Sequence, residues 1–160
     1  MRSLAGWISA AALIVANGAL AQGAASADAF VRGLYAAYHG AGPDYLGRQA
    51  ASVFAPPLLR LIRRDIALTP AGDVPDLDGD PICDCQDSGG LKLIDIKVEG
   101  VEGGHATATA RFRIAADRRI VKLDLAAVQG HWRVSDIRTA ETPSLVAYLT
   151  RSLRAVHPKD

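Results

Sequence analysis

The hydrophobic and polar positions of this chain change period once, at a loop that spans Thr69 to Gly90. Before it the apolar residues recur at helical spacing. Phe30, Val31, Leu34 and Tyr38 form a stripe between Ser26, placed to cap the segment, and Gly40 with Gly42-Pro43, which end it. Tyr45 to Val53 reads as a short second helix. Pro56-Pro57 opens a third, where the missing proline N–H has no intrahelical partner to lose. In that helix Leu58, Leu59, Ile62 and Ile66 face one way and Arg60, Arg63 and Arg64 the other. Asp65 falls at the edge of the stripe, either as a solvated border residue or as a carboxylate lining a pocket.

After the loop the pattern alternates. Ile94, Ile96 and Val98 oppose Leu93, Asp95 and Lys97, and Ala106, Ala108, Ala110, Phe112 and Ile114 oppose His105, Thr107, Thr109, Arg111 and Arg113. Val121, Leu123 and Leu125 share one face of a third run from Arg119 to Val128. Trp132 and Val134 share one face of a fourth, from His131 to Ile137. Gly103-Gly104 and Gln129-Gly130 are tight turns, so the four runs predict an antiparallel meander. A single apolar sheet face needs a cover, which the preceding helices supply. Trp132 is expected to be buried between sheet and helices, near Phe30 and Leu34. A last helix begins at Thr142-Pro143 and carries Leu145, Val146, Leu149, Leu153 and Val156, ahead of a frayed end at His157-Pro158-Lys159-Asp160. The fold class is α+β: N-terminal helices packed on a curved four-stranded antiparallel meander, with a C-terminal helix.

The first residues read as a sorting signal. Arg2 precedes an apolar run from Leu4 to Ala16, and Ala19-Leu20-Ala21 offers the small-x-small pattern of a cleavage site. Residues 1–21 are therefore a signal peptide and 22–160 a single domain, exported to the periplasm. No cysteine follows the apolar run to carry a lipid, so no stable membrane anchor is expected after cleavage. The chain carries 18 Lys and Arg against 17 Asp and Glu, a net charge of +1. Removing Arg2 with the signal balances the two. That argues against a nucleic-acid partner, which needs clustered excess Lys and Arg, and against a polybasic membrane contact. With 49% apolar residues the chain can bury an ordinary core without disulfide staples.

Helices, an acidic loop and a four-strand meander closing on Gly130-His-Trp-Arg-Val-Ser-Asp-Ile137 are together similar to the cone-shaped nuclear-transport-factor-like (cystatin-like) fold. More narrowly, the chain resembles bacterial envelope proteins grouped as domain of unknown function 3828. The residues that carry the likeness are Phe30-Val31, Leu34-Tyr35 and Tyr38; Leu77, Asp80-Pro81 and Gln86-Asp87; Gly130, Trp132, Val134, Asp136-Ile137 and Ser144-Leu145. The resemblance implies a curved sheet around helices with a pocket at the open end of the cone. It implies no reaction, because the same fold hosts isomerases, dehydratases and binding modules.

The stretch from Asp76 to Asp87 holds both cysteines and five acids. Asp76, Asp78, Asp80, Asp84 and Asp87 have the spacing of a calcium loop, but Pro81 stands where the sharp turn needs glycine and a strand follows instead of a helix. Asp80, Gln86 and Asp87 are expected to hold the loop's own backbone, as Asx side chains do. Asp76, Asp78 and Asp84 are expected to face solvent, and the Arg60, Arg63, Arg64 face to partner the remaining acids. Cys83 and Cys85 admit several readings. Zinc would require two more ligands at defined spacing, and His39, His105, His131 and His157 are scattered. Catalytic thiols usually carry two intervening residues at a helix start. In an oxidising compartment a bond between them is the simplest fate, and a bond to a partner protein the next.

These features predict an exported, non-catalytic binding or accessory protein, without metal or cofactor, that engages an envelope protein partner through a protruding acidic Cys-x-Cys loop. Asp76, Asp78, Asp80, Asp84, Gln86 and Asp87 are the candidate binding residues. A small enzyme using the cone pocket, with Asp65 as base, is the alternative. An immunity-type inhibitor of a partner enzyme is another. The sequence holds no phosphate loop, nucleophile elbow or zinc-protease motif.

Overall fold

A computed structural model describes residues 11–39 and 42–156. Arg2 and the start of the apolar run, together with Gly40 and residues 157–160, lie outside the described residues, so the proposed signal is only partly covered and the frayed end not at all. The first helix, α1, spans Ala11–Ala36 and is longer than expected. Ser26 lies inside it, where its hydroxyl donates to the Gly23 carbonyl at 2.9 Å instead of capping. The stretch ahead of Ser26 is rich in alanine and holds no proline, so the helix runs on through Gly18 and Gly23. Among the described residues no helix is long and apolar enough to cross a membrane.

A turn leads to α2, Ala50–Val53, and then to α3, Pro56–Leu68, with proline in its first turn. Leu58, Leu59 and Ile62 are buried as expected. Ile66 is not; it is exposed, and Asp65 takes the inward place, only 3% exposed. Positions 58, 62 and 65 lie one above another at i, i+4 and i+7, so a small rotation of the helix selects Asp65 over Ile66.

The four strands are β1 (Lys92–Glu102), β2 (His105–Ile114), β3 (Asp117–Val128) and β4 (His131–Arg138), paired antiparallel in chain order into a sheet that does not close. Gly103-Gly104 and Gln129-Gly130 turn with positive φ at both residues, which matches the twist of the flanking strands. The inner face presents Ala106, Ala108 and Ala110 beside Phe112, Val121, Leu123 and Leu125, all buried. The alanines leave room for α1 to lie close, so that Tyr35 meets Phe112 with ring centroids 5.2 Å apart. Beyond the sheet, α4 runs from Leu145 to Val156 and buries Leu145, Leu149 and Leu153.

Three register shifts depart from simple alternation, one of them at the end of β1 between Glu99 and Glu102; the other two change which residues face the core. In β1 the register shifts between Leu93 and Asp95, which turns Ile94 outward (56% exposed) and brings Leu93 in to pack on the core. An extra residue opposite one partner does this wherever it occurs. In β4 a shift beside Ser135 puts Ile137, not Asp136, beneath the helices. The freed Asp136 carboxylate accepts the Val146 amide at 3.0 Å and the Ser144 hydroxyl at 2.6 Å, and Ser144 accepts the Ala147 amide. Helix α4 is thus capped by Ser144 and begins at Leu145, three residues past Thr142, with an acid at its positive end.

Trp132 is on the expected face but only half-buried. Its indole N–H donates to Ser26 at 2.9 Å, on the rim of the core. Phe112, 0% exposed, occupies the central place instead. Phe112→Ala should therefore cost about 3–5 kcal/mol, and Trp132→Ala roughly half of that. Urea unfolding of the two variants checks the order; equal losses would place the tryptophan in the core after all.

Candidate functional site

The acidic loop does not protrude. Its middle folds into a hairpin in which the Asp80 amide donates to the Cys85 carbonyl (2.9 Å) and the Cys85 amide returns to Asp80 (3.2 Å). The four residues between them include Pro81, Ile82 and Cys83, all buried, with Ile82 and Cys83 fully so. Asp84 closes the turn in the left-handed region, φ 48°, which Asp tolerates better than most side chains. Gly79 must be glycine: at φ 111°, a Cβ there would sit 2.8 Å from the Cys85 carbonyl oxygen. The sulfurs of Cys83 and Cys85 lie at disulfide distance, with Cα atoms 5.2 Å apart. Asp76, Asp78 and Asp84, expected in solvent, are exposed, while the apolar run Pro81-Ile82-Cys83 between them is taken into the core as a plug.

Two tyrosines anchor it, and a third braces α1 beside them. Tyr38 donates to Asp80 Oδ2 at 2.6 Å, Tyr35 to the Ile82 carbonyl at 2.8 Å and Tyr45 to the Leu34 carbonyl at 2.6 Å. The other Asp80 oxygen accepts the Ile82 amide at 2.8 Å. Burial holds the Asp80 carboxyl above its usual range, against the opposing pull of the Tyr38 hydroxyl and nearby amides. Burial, and then the charge on Asp80, push the Tyr35 and Tyr38 hydroxyls up as well, so both stay protonated donors. Upstream, Asp65 reaches from α3 to accept the amides of Asp76 (3.2 Å) and Leu77 (2.9 Å). From α4, the Tyr148 hydroxyl donates to the Asp76 carbonyl and the Ser152 hydroxyl to its carboxylate.

Between this loop and the connection from β4 to α4 lies a cleft of about 650 Å³. Asp76, Asp78, Asp80 and Asp84 line one side and Glu141, Thr142 and Tyr148 the other; among the described residues Arg119 is the one cation in the wall. Arg119 donates to the Asp84 carbonyl and stands 3.9 Å from its carboxylate. Gln86 is tied to Asp78 at 2.5 Å. Asp87 holds the Gly89 amide at 2.8 Å and borders a smaller hollow of about 310 Å³ with Gly42, Pro43 and Cys83. Arg60, Arg63 and Arg64 make no ion pair with described residues; Arg119 takes that part instead.

Asp76, Asp78, Asp80, Asp84 and Gln86 are thus brought together around one opening. Asp87 and Asp65 are not among its lining residues, and Asp65 spends both oxygens on backbone amides. The five loop acids send their carboxylates to different partners, and among the described residues no three Asp, Glu, His or Cys side chains gather closely enough to hold a metal. Glu141, Tyr148 and Arg119 went unread in the sequence. Nothing local marks them, since each joins the site only through tertiary packing. Tyr35 and Tyr38 did carry a signal: a tyrosine in an apolar stripe needs a partner for its hydroxyl.

Over 73 residues, 44% of this chain, the sequence is 40% identical to the uncharacterized protein YqhG of Escherichia coli (strain K12). The match spans 24% of that protein, so the chain covers about a quarter of this relative's length. No family model matches the chain. No solved structure matches it.

Two outcomes test the anchoring. Asp65→Ala strands two amides and should cost about 2–3 kcal/mol, read from a lowered urea midpoint. Asp80 holds its proton to higher pH in the folded than in the unfolded chain. It adds stability that is fully present below the unfolded carboxylate pKa of about 4 and is lost as pH rises through the raised folded value. Melts of wild type and Asp80→Asn should show the wild type gaining on the variant as pH falls from about 7 to about 4. A constant difference between the two would mean that Asp80 titrates like an exposed acid.

Proposed function

We propose that this chain is an exported, periplasmic binding or accessory protein of the domain of unknown function 3828 group, with a nuclear-transport-factor-like cone, and that it takes a basic segment of an envelope protein partner into the cleft beside its acidic loop. The observation that supports this reading is the wall of that cleft: Asp76, Asp78, Asp84 and Glu141 are exposed around about 650 Å³, with Arg119 as the one opposing charge among the described residues. A concave site of this size, ringed by one sign of charge, focuses its field on a cationic ligand. The loop is also held in shape beforehand by Asp65, Tyr35 and Tyr38, so little ordering entropy is lost on binding. The more buried acids that hold structure, Asp65 and Asp80, are distinct from the exposed ones, whose surface contacts to Ser152, Gln86 and Arg119 a cationic partner would compete with.

A short lysine-rich peptide, titrated calorimetrically at low salt, is the probe. Wild type should bind it, and about 0.5 M salt should abolish most of the affinity. Asp84→Asn with Glu141→Gln should weaken it roughly tenfold while leaving the melting temperature nearly unchanged, since both side chains are exposed. Asn tolerates the left-handed backbone at position 84. Undiminished binding by a folded double variant would remove the cleft from the reading.

A further inference from the structure

The outer face of the sheet carries a second feature that the cleft does not use. Lys92, Arg113 and Arg118 stand directly opposite one another across β1, β2 and β3, and all three are exposed. None has an ion-pair partner among the described residues; Arg113 donates only to the Ala115 carbonyl at 3.4 Å. Like charges directly opposite in a sheet are mutually destabilising, so folding gains nothing from this row. The next row runs Asp95, Arg111, Ile120, with the bulged Ile94 beside Asp95. Its arginine pairs with Asp95 at 3.1 Å, while the two isoleucines flank it at 56% and 54% exposure. The bulge in β1 is what turns Ile94 to this side, and strand alternation sends Arg118 here while Arg119 goes inward to Asp84.

We propose that this corner of the sheet docks reversibly on the surface of an anionic phospholipid bilayer. Three unpaired cations beside two exposed isoleucines match a bilayer interface, where basic side chains meet phosphates and apolar tips enter just below them. Guanidinium groups suit phosphate by their forked geometry. The patch is small. Beyond it the outer face is occupied by the pairs Lys97–Glu99 and Arg138–Asp124, so six residues are well short of the roughly 20–30 a side of a stable protein interface. A membrane needs no such area, because affinity adds by charge. Isoleucine offers no flat ring for stacking bases, which sets the patch apart from a single-stranded nucleic-acid site. The near-neutral total charge hides the row because it sums over the whole chain, the acidic cleft included.

Co-sedimentation of the full chain with vesicles tests it, using phosphatidylethanolamine with about one-third phosphatidylglycerol against pure phosphatidylcholine. Binding to the anionic vesicles and not to phosphatidylcholine, lost at about 0.5 M salt, is the expected result. Lys92→Gln with Arg113→Gln and Arg118→Gln should weaken it roughly a hundredfold. Ile94→Ser with Ile120→Ser should weaken it several-fold at unchanged charge. All variants keep the same N-terminal apolar segment, so the differences read the sheet face alone, and unchanged melting temperatures exclude unfolding. Equal binding to both vesicle types, indifference to the triple substitution, or capture by polyglutamate without any by vesicles would each overturn the proposal.

Discussion

The hydrogen bond from Tyr38 to Asp80 is the constraint on which the rest of the site depends. It joins the turn that follows α1 to the middle of a loop that would otherwise have no reason to enter the core. A partly buried carboxylate is costly unless its oxygens are occupied, and here one accepts the Tyr38 hydroxyl and the other the Ile82 amide. With Asp80 fixed, Ile82 and Cys83 drop into the gap between α1 and the sheet. Tyr35 then reaches the Ile82 carbonyl, leaving no described buried side-chain polar atom without a partner. The pairing between Asp80 and Cys85 closes the hairpin on its own stem. The disulfide is a local clip within that hairpin, and a ring this short adds little by restricting the unfolded chain.

The cleft follows from two clamps on either side of that plug. Asp65, from α3, pins the amides of Asp76 and Leu77. Tyr148 and Ser152, from α4, pin the same segment from across the opening. Helix α4 is itself set by Asp136, which the β4 bulge turns out of the core and toward the helix start. A one-residue irregularity in a strand therefore decides where the far wall of the cleft stands. Without the bulge Asp136 would point beneath the helices, Ile137 would point out, and Glu141 and Thr142 would hang from a differently aimed connection.

Much of the fold was legible because it rests on short-range periodicity. All four strands, both glycine turns and the proline-led start of α3 lie within a few residues of where the pattern puts them. What escaped is what alternation cannot encode. A bulge changes the face of every residue beyond it, so Ile94 and Ile137 were read by the wrong parity or left at the end of a run. Asp65 read as a border residue because the amides it serves lie 11 and 12 positions away in a loop without period. The loop's composition suggested solvent, yet the Pro81-Ile82-Cys83 run inside it is apolar, and its burial is the sort of local exception an averaged reading smooths over. Of the cleft, the near wall could be named from sequence, while Glu141, Tyr148 and Arg119 arrive from elements far apart in the chain.

A balanced total charge constrains less than it first suggests, because a sheet and a loop sort charges spatially. Period-two alternation puts Arg111, Arg113, Arg118 and Lys122 on one face, while Arg119, one residue from Arg118, crosses to the other and meets Asp84. The loop from Thr69 to Gly90 holds acids and no Lys or Arg, whereas the strands carry both signs. Net charge governs interactions at distances beyond the screening length, about 8–10 Å at ordinary salt; a surface patch is felt within it. At that range this molecule is not neutral but has an acidic opening and a basic corner. The two are separated by a strand whose alternate residues serve each in turn. The same alternation that buries Val121, Leu123 and Leu125 thus keeps the two fields from cancelling.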